Sequence, residues 1–222
     1  MNRDLLPTFR LALLLCLSLL PACGDGSGDY AADVPAVTQT TLDTTLNLLT
    51  FSRLQGYAEG IPCADDVAPM ASAATLRGDL IARGEGAVLA CVGDSLQHTA
   101  FVNNSRASRV SSEARALVVL DAMAAADVDV YVPSHGDFVL GLETLLDAAD
   151  ERGLDVVLSN VLYEGRDITP YKIVEHEGLK VALLGIIPPN SKETTPDPKL
   201  KVLKPAKRVK ALCEQIAANG EA

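Results

Sequence analysis

The sequence predicts an α/β layered sandwich, with a mainly parallel sheet flanked by helices and a β-hairpin near the C-terminus. Three observations carry this reading. Short apolar runs, Ala87–Val92, Val128–Val132 and Leu154–Ser159, alternate with segments of helical spacing, the pattern of right-handed strand–helix–strand crossovers. Leu154–Ser159 is apolar rather than alternating, as expected for a parallel strand covered on both faces. Two further runs, Tyr171–His176 and Leu179–Ile187, are separated only by Glu177-Gly178, the spacing of a tight hairpin.

Taken in order, Thr45–Phe51 reads as the first strand, and Gly56 and Gly60 mark the loop after it. Met70–Ala82 has helical spacing, with Leu76, Leu80 and Ile81 on one side and Arg77 and Asp79 on the other. Gly84-Glu85-Gly86 ends that helix and leads into the strand Ala87–Val92. A polar loop from Asp94 to Ser108 follows. Ser111-Ser112 with Glu113 can cap a helix running to about Ala126. After strand Val128–Val132 and a His-bearing turn, a helix is expected from about Leu140 to Glu151, closed by Arg152-Gly153. The Pro- and Lys-rich segment Pro188–Pro205 separates the hairpin from a last helix, Ala206–Ala218.

The 222 residues, 48% apolar and 22% charged, suffice for one domain with a proper core. A net charge of −10 argues against a nucleic-acid binder, which needs clustered Lys and Arg on one face. The one basic cluster, Lys199 to Lys210, reads as a solvated helix face and its lead-in.

Residues 1–22 read as a bacterial lipoprotein signal. Arg3 and Arg10 precede the apolar run Leu11–Leu20, which is too short to span a membrane, and Leu20-Pro21-Ala22-Cys23 forms a lipobox. Cys23 is the expected lipidation site, so the chain is expected to cross the inner membrane and hang by lipid in the cell envelope, facing the periplasm or the exterior. Residues 23–44, rich in Gly, Ser, Asp and Ala, read as a flexible tether to a domain spanning 45–222. Of the remaining cysteines, Cys63, Cys91 and Cys213, an odd number leaves one thiol unpaired, and Cys91 reads as a small core residue within its strand.

The chemistry-bearing residues lie where strands end. Ala87–Val92 runs into Gly93-Asp94-Ser95, and Val128–Val132 into Pro133-Ser134-His135-Gly136-Asp137, so an acid and an imidazole share one rim of a parallel sheet. Asp94 and His135 suit metal-assisted hydrolysis or acid–base work, although a single His in a turn also serves as a structural hydrogen-bonder.

Four stretches carry a resemblance: GDSLQ at 93–97, VDVYVPSHGDFVLGLETLLDAA at 128–149, VVLSNV at 156–161 and PYKIVEHEGLKVALLGIIPP at 170–189. In this order they resemble the N-terminal catalytic domain of the 5′-nucleotidase branch of calcineurin-like metallophosphoesterases. The resemblance implies an incomplete metallophosphoesterase fold, a divalent metal pair such as zinc or manganese, and hydrolysis of a nucleotide or other phosphate ester. It also implies that Asp94 is the bridging metal ligand and that His135 is the catalytic imidazole that assists the phosphoryl group.

The chain departs from the family pattern at several positions. Arg53-Leu54-Gln55 stands where the family has Asp-x-His, Ser134 replaces the metal-binding Asn, and Pro133 replaces a Gly. Gly136-Asp137 stands where Glu-Phe is usual. The family's later histidines follow a strand beyond the last helix, so the resemblance points to a C-terminal half encoded separately downstream as a partner. His98 and His176 are not assigned as ligands; if a replacement ligand exists, His98 or Asp137 is the candidate. The expected function is therefore a lipid-anchored, phosphoesterase-like protein with impaired catalysis. The alternatives are a non-catalytic envelope lipoprotein that uses the fold as a binding or scaffold module, and a truncated product with no independent function. The missing strand is expected to leave an unpaired sheet edge and an uncovered face of Val209, Leu212 and Ile216 on the last helix, and hence weak stability.

Overall fold

The computed structural model describes residues 44–58, 69–96, 106–188 and 197–222. The expected signal and nearly all of the tether, with Cys23, lie outside the described residues, as do Cys63 and His98. The elements are β1 (Leu46–Phe51), α1 (Pro69–Ala82), β2 (Gly86–Val92), α2 (Arg106–Ala125), β3 (Val130–Val132), a 3-10 helix (His135–Leu140) and α3 (Leu142–Asp150). They continue as β4 (Val161–Tyr163), β5 (Lys172–His176), β6 (Leu179–Leu183), β7 (Leu200–Val202) and α4 (Pro205–Asn219).

The sheet is parallel, in the order β1-β2-β3, as expected. Register runs from Leu46 opposite Gly86 to Phe51 opposite Cys91, and from Ala90 opposite Val130 to Val92 opposite Val132. Register partners share a face, so the sheet sorts its side chains cleanly. Leu89, Cys91 and Tyr131 enter the main core with Met70 of α1, Ala116, Val119, Leu120 and Met123 of α2, and Leu142 and Leu145 of α3. On the other face, Ala90 and Val130 pack with Val157 and are met by Leu183 of β6. The second cover over this part of the sheet is therefore the hairpin rather than another helix layer.

Several boundaries differ from the sequence reading. The α2 helix begins at Arg106, ahead of the Ser111-Ser112 cap signal, because Ala116, Val119, Leu120 and Met123 fix the buried stripe and both serines lie within the helix. The expected helix from Leu140 splits at Gly141, whose φ of 78° and ψ of 144° end the 3-10 helix and start α3. Leu154–Ser159 lies beside β3 but makes only one parallel bridge, Tyr131 with Val156, closed by Tyr131 N–H to Asp155 O at 2.9 Å and Val157 N–H to Tyr131 O at 2.9 Å. Its far side is occupied by the segment after β6: Ser159 N–H donates to Gly185 O at 2.6 Å, and a Cβ on Gly185 would collide with Val157 O. Only glycine fits there.

The antiparallel pair β4 and β7 was not expected. Leu200 and Val202 pack against the core while Lys201 between them is exposed, a two-residue alternation hidden within a Lys-rich stretch. The expected uncovered face on the last helix is also corrected. Leu212 and Ile216 are buried, and α4 is anchored by Arg208 Nε donating to Ser159 O at 2.9 Å and by a left-handed Gly220 cap.

Candidate functional site

The carboxyl ends of β1, β2 and β3 meet at one rim, and hydrogen bonds between their loops hold it together. Arg53 N–H donates to Gly93 O (3.1 Å), Gln55 N–H to Asp94 O (3.1 Å) and Gly56 N–H to Ser95 O (2.8 Å), while Gly93 N–H reaches Val132 O (2.8 Å). This lacing holds three non-glycine residues, Arg53, Gln55 and Asp94, at φ of 61°, 53° and 49°. Left-handed backbone at such residues costs about 1 kcal/mol each and concentrates where surrounding structure enforces it. Gly93 must itself be glycine, with φ of 67° and Ser134 Cβ only 3.2 Å from where its own Cβ would be.

Asp94 and Ser134 are joined twice. The Ser134 hydroxyl donates to Asp94 Oδ1 at 2.7 Å, and Asp94 N–H donates to Ser134 Oγ at 3.0 Å. Ser134 also caps the 3-10 helix, accepting from Gly136 N–H at 3.2 Å. Asp137 completes that capping box and reaches across to the β2 loop. Its Oδ1 accepts Ser95 N–H and Leu96 N–H at 2.7 Å each, and its Oδ2 accepts Ser134 N–H at 2.8 Å. Burial pushes the Asp137 carboxyl up; the amides of Leu96, Ser134 and Ser95 pull it back only in part, and Asp94 adds a further upward push.

The layer beneath the rim is buried. The Cys91 thiol lies 3.1 Å from Ser95 Oγ and is pushed up to about 12, chiefly by burial. The Tyr131 hydroxyl is raised well above its ordinary value by burial and then by the nearby Asp137. Cys91 is thus the small core residue the sequence suggested, and both Cys91 and Cys213 are free thiols.

His135 opens the 3-10 helix, and its ring is engaged by the chain after the hairpin. Its Nε2–H donates to Pro188 O at 2.8 Å, its ring sits edge-on to Phe138 at 5.9 Å, and Nδ1 is buried without a hydrogen-bond partner. Asp94 and His135 share the rim but are linked only through Ser134. Arg53 is exposed and makes no ion pair among the described residues, and His176 lies at the opposite end of the sheet, packed over Gly86.

The sequence reading missed two polar anchors. By sequence Asp137 is a candidate replacement ligand, although Ser134-x-x-Asp137 has capping-box spacing that points to its structural role. Asn160 is fully buried, with Nδ2 donating to Ile187 O (2.8 Å) and Leu203 O (3.1 Å) and Oδ1 accepting Ile187 N–H (3.0 Å). It fastens the chain after the hairpin to the sheet, and with it the Pro188 carbonyl that holds His135.

The described residues do not fit a divalent metal pair. No group of three or more His, Cys, Asp or Glu among them is placed to hold an ion. Asp94 shares its carboxylate with a hydroxyl donor, and both oxygens of Asp137 accept backbone amides. Arg53, whose backbone amide joins the same rim, carries an exposed fixed cation in place of an anionic ligand.

The sequence matches no protein-family model and no curated protein sequence. Solved structures do match. A 5′-nucleotidase precursor from Thermus thermophilus superposes with a TM-score of 0.60 at 20% identity, over 79% of this chain and 35% of that one. The NAD nucleotidase of Haemophilus influenzae gives 0.60 at 17% identity, over 79% and 32%. A calcineurin-like phosphoesterase of Bacillus subtilis gives 0.55 at 18% identity, over 79% and 59%. The chain spans about a third of the length of the two nucleotidases, and over that span it has the fold of 5′-nucleotidases and calcineurin-like phosphoesterases.

Proposed function

We propose that this chain is a lipid-anchored envelope protein built on a metal-dependent phosphoesterase fold, related to 5′-nucleotidases, whose hydrolysis of nucleotides or other phosphate esters is impaired. The observation that carries the reading is the state of Asp94. A bridging ligand needs its carboxylate free for two cations, and here Ser134 donates into it at 2.7 Å, the neighbouring Asp137 is engaged by backbone amides, and no group of three or more His, Cys, Asp or Glu among the described residues is placed to hold an ion. Lipid attachment at Cys23 rests on the lipobox that precedes it. Purified chain supplied with zinc or manganese is expected to hydrolyse neither AMP nor p-nitrophenyl phosphate above background. Mass spectrometry of the membrane fraction is expected to find a lipid-bearing Cys23 as the mature N-terminus. Turnover that Asp94→Ala abolishes refutes the impairment, and a different mature N-terminus refutes the anchor.

A second reading, a non-catalytic lipoprotein that uses the fold as a binding or scaffold module, is favoured by the rim itself. Asp137 gathers Ser95, Leu96 and Ser134 through direct hydrogen bonds, so these loops are tied together by the chain's own side chains.

A further inference from the structure

Charge is distributed unevenly over this acidic chain. Among the described residues Arg77, Arg83, Arg152, Arg166, Lys172 and Lys199 are each paired with a carboxylate. Lys201, Lys204 and Lys207 are exposed and form no ion pair among the described residues, and Lys210 approaches Glu214 only to 4.0 Å. No acidic residue interrupts the sequence from Lys199 to Lys210.

Two of these cations border an apolar hollow. Lys204 and Lys207 line a shallow groove of about 410 Å³ with Leu203, Arg208 and Ala211. Helical spacing puts residues 207, 208 and 211 on one flank of α4, beside the inward stripe of Leu212 and Ile216; Lys204 immediately precedes the helix, and Lys201 is an exposed residue of β7. Among the described residues none of the three lysines Lys201, Lys204 and Lys207 donates a side-chain cap or pairs with a carboxylate. A chain of net charge −10 is repelled by an anionic surface unless it presents such a face.

We propose that the Lys201–Ala211 face docks on an anionic phospholipid surface, with Lys201, Lys204 and Lys207 at the headgroup phosphates and the Leu203–Ala211 groove against the interface. This adds an oriented contact to the lipid anchor proposed at Cys23, and it is testable without that anchor. Full-length Cys23→Ala chain is floated with phosphatidylcholine vesicles and with vesicles that also contain phosphatidylglycerol; the readout is the ratio of the two, which cancels any contribution of the apolar run Leu11–Leu20. Each lysine near an anionic surface strengthens partitioning by about fivefold, so the ratio is expected to be on the order of a hundred at low salt and to fall as salt is raised. Lys201→Glu/Lys204→Glu/Lys207→Glu is expected to bring the ratio to one. The triple Gln variant provides the same test with less perturbation, and unchanged circular dichroism verifies the fold of each. Arg83→Glu/Arg115→Glu/Lys180→Glu, with the same net charge placed elsewhere, is expected to keep most of the ratio.

A wild-type ratio near one overturns the proposal. So does a ratio that survives the lysine replacements or is lost equally in the control. Binding to a polyglutamate peptide without any preference for phosphatidylglycerol also overturns it, by assigning the face to an acidic protein partner. None of these results bears on acylation of Cys23, which mass spectrometry reads separately.

Discussion

The Ser134 hydroxyl donates to Asp94 Oδ1 at 2.7 Å while its oxygen accepts the Asp94 amide at 3.0 Å, so the two strand-end loops hold each other in both directions. In Ser134→Ala the Asp94 carboxylate and amide lose this partner, as does Gly136 N–H at the start of the 3-10 helix. Hydrogen bonds to charged groups contribute about 2 kcal/mol each, and Asp94 is solvated enough to recover part of this. Urea unfolding is expected to show a loss of about 1–2 kcal/mol. No change would mean the bond is dispensable to the rim.

Asp137 should matter more. Removing its carboxylate leaves the amides of Ser95, Leu96 and Ser134 without their acceptor, two of them deep in the rim. Asp137→Ala is expected to cost about 3 kcal/mol or more, exceeding Ser134→Ala in the same assay.

The pH dependence of Asp137 has a definite sign. Burial raises its folded value above the ordinary 3.8, so the folded state binds the proton more tightly than the unfolded chain. Its proton-linked stabilisation is complete below that ordinary value and is lost as pH rises through the folded value. The stability gap between wild type and Asp137→Asn is therefore expected to narrow as pH is raised across this range; a widening gap in pH-stepped urea titrations contradicts the assignment.

Thiol chemistry separates the two free cysteines. Cys91 is fully buried with its thiol pushed up to about 12, whereas Cys213 is exposed. At neutral pH iodoacetamide is expected to label Cys213 in the folded chain and Cys91 only after denaturation, with the sites read by peptide mass spectrometry.

Much of the architecture is legible in the residues because it rests on local pattern. The apolar runs of β2 and β3 and the Glu177-Gly178 turn, whose φ angles of 48° and 82° suit a tight hairpin, follow from side-chain period and turn chemistry. The β4–β7 pair was hidden because Lys199 and Lys201 make a half-buried strand look like a charged linker. The rim was legible as a place but not as a mechanism of cohesion. Asp94 and His135 stand where the strand ends indicated, yet what holds the rim is Asp137 reaching across 42 positions to Ser95 and Asn160 reaching 27 to Ile187. Hydrogen bonds between residues so distant in sequence leave no local pattern. The last helix shows the same limit: Leu212 and Ile216 read as an exposed stripe until the partners that cover them are known.

On the proposed reading, Asp94 belongs to a hydrogen-bonded rim rather than to a metal cage. The deciding experiment is calorimetric titration of the purified full chain with zinc and with manganese, with Asp94→Ala titrated in parallel. The expected result is no saturable two-site binding and indistinguishable heats for wild type and Asp94→Ala. Stoichiometric uptake of two ions that Asp94→Ala abolishes would contradict it.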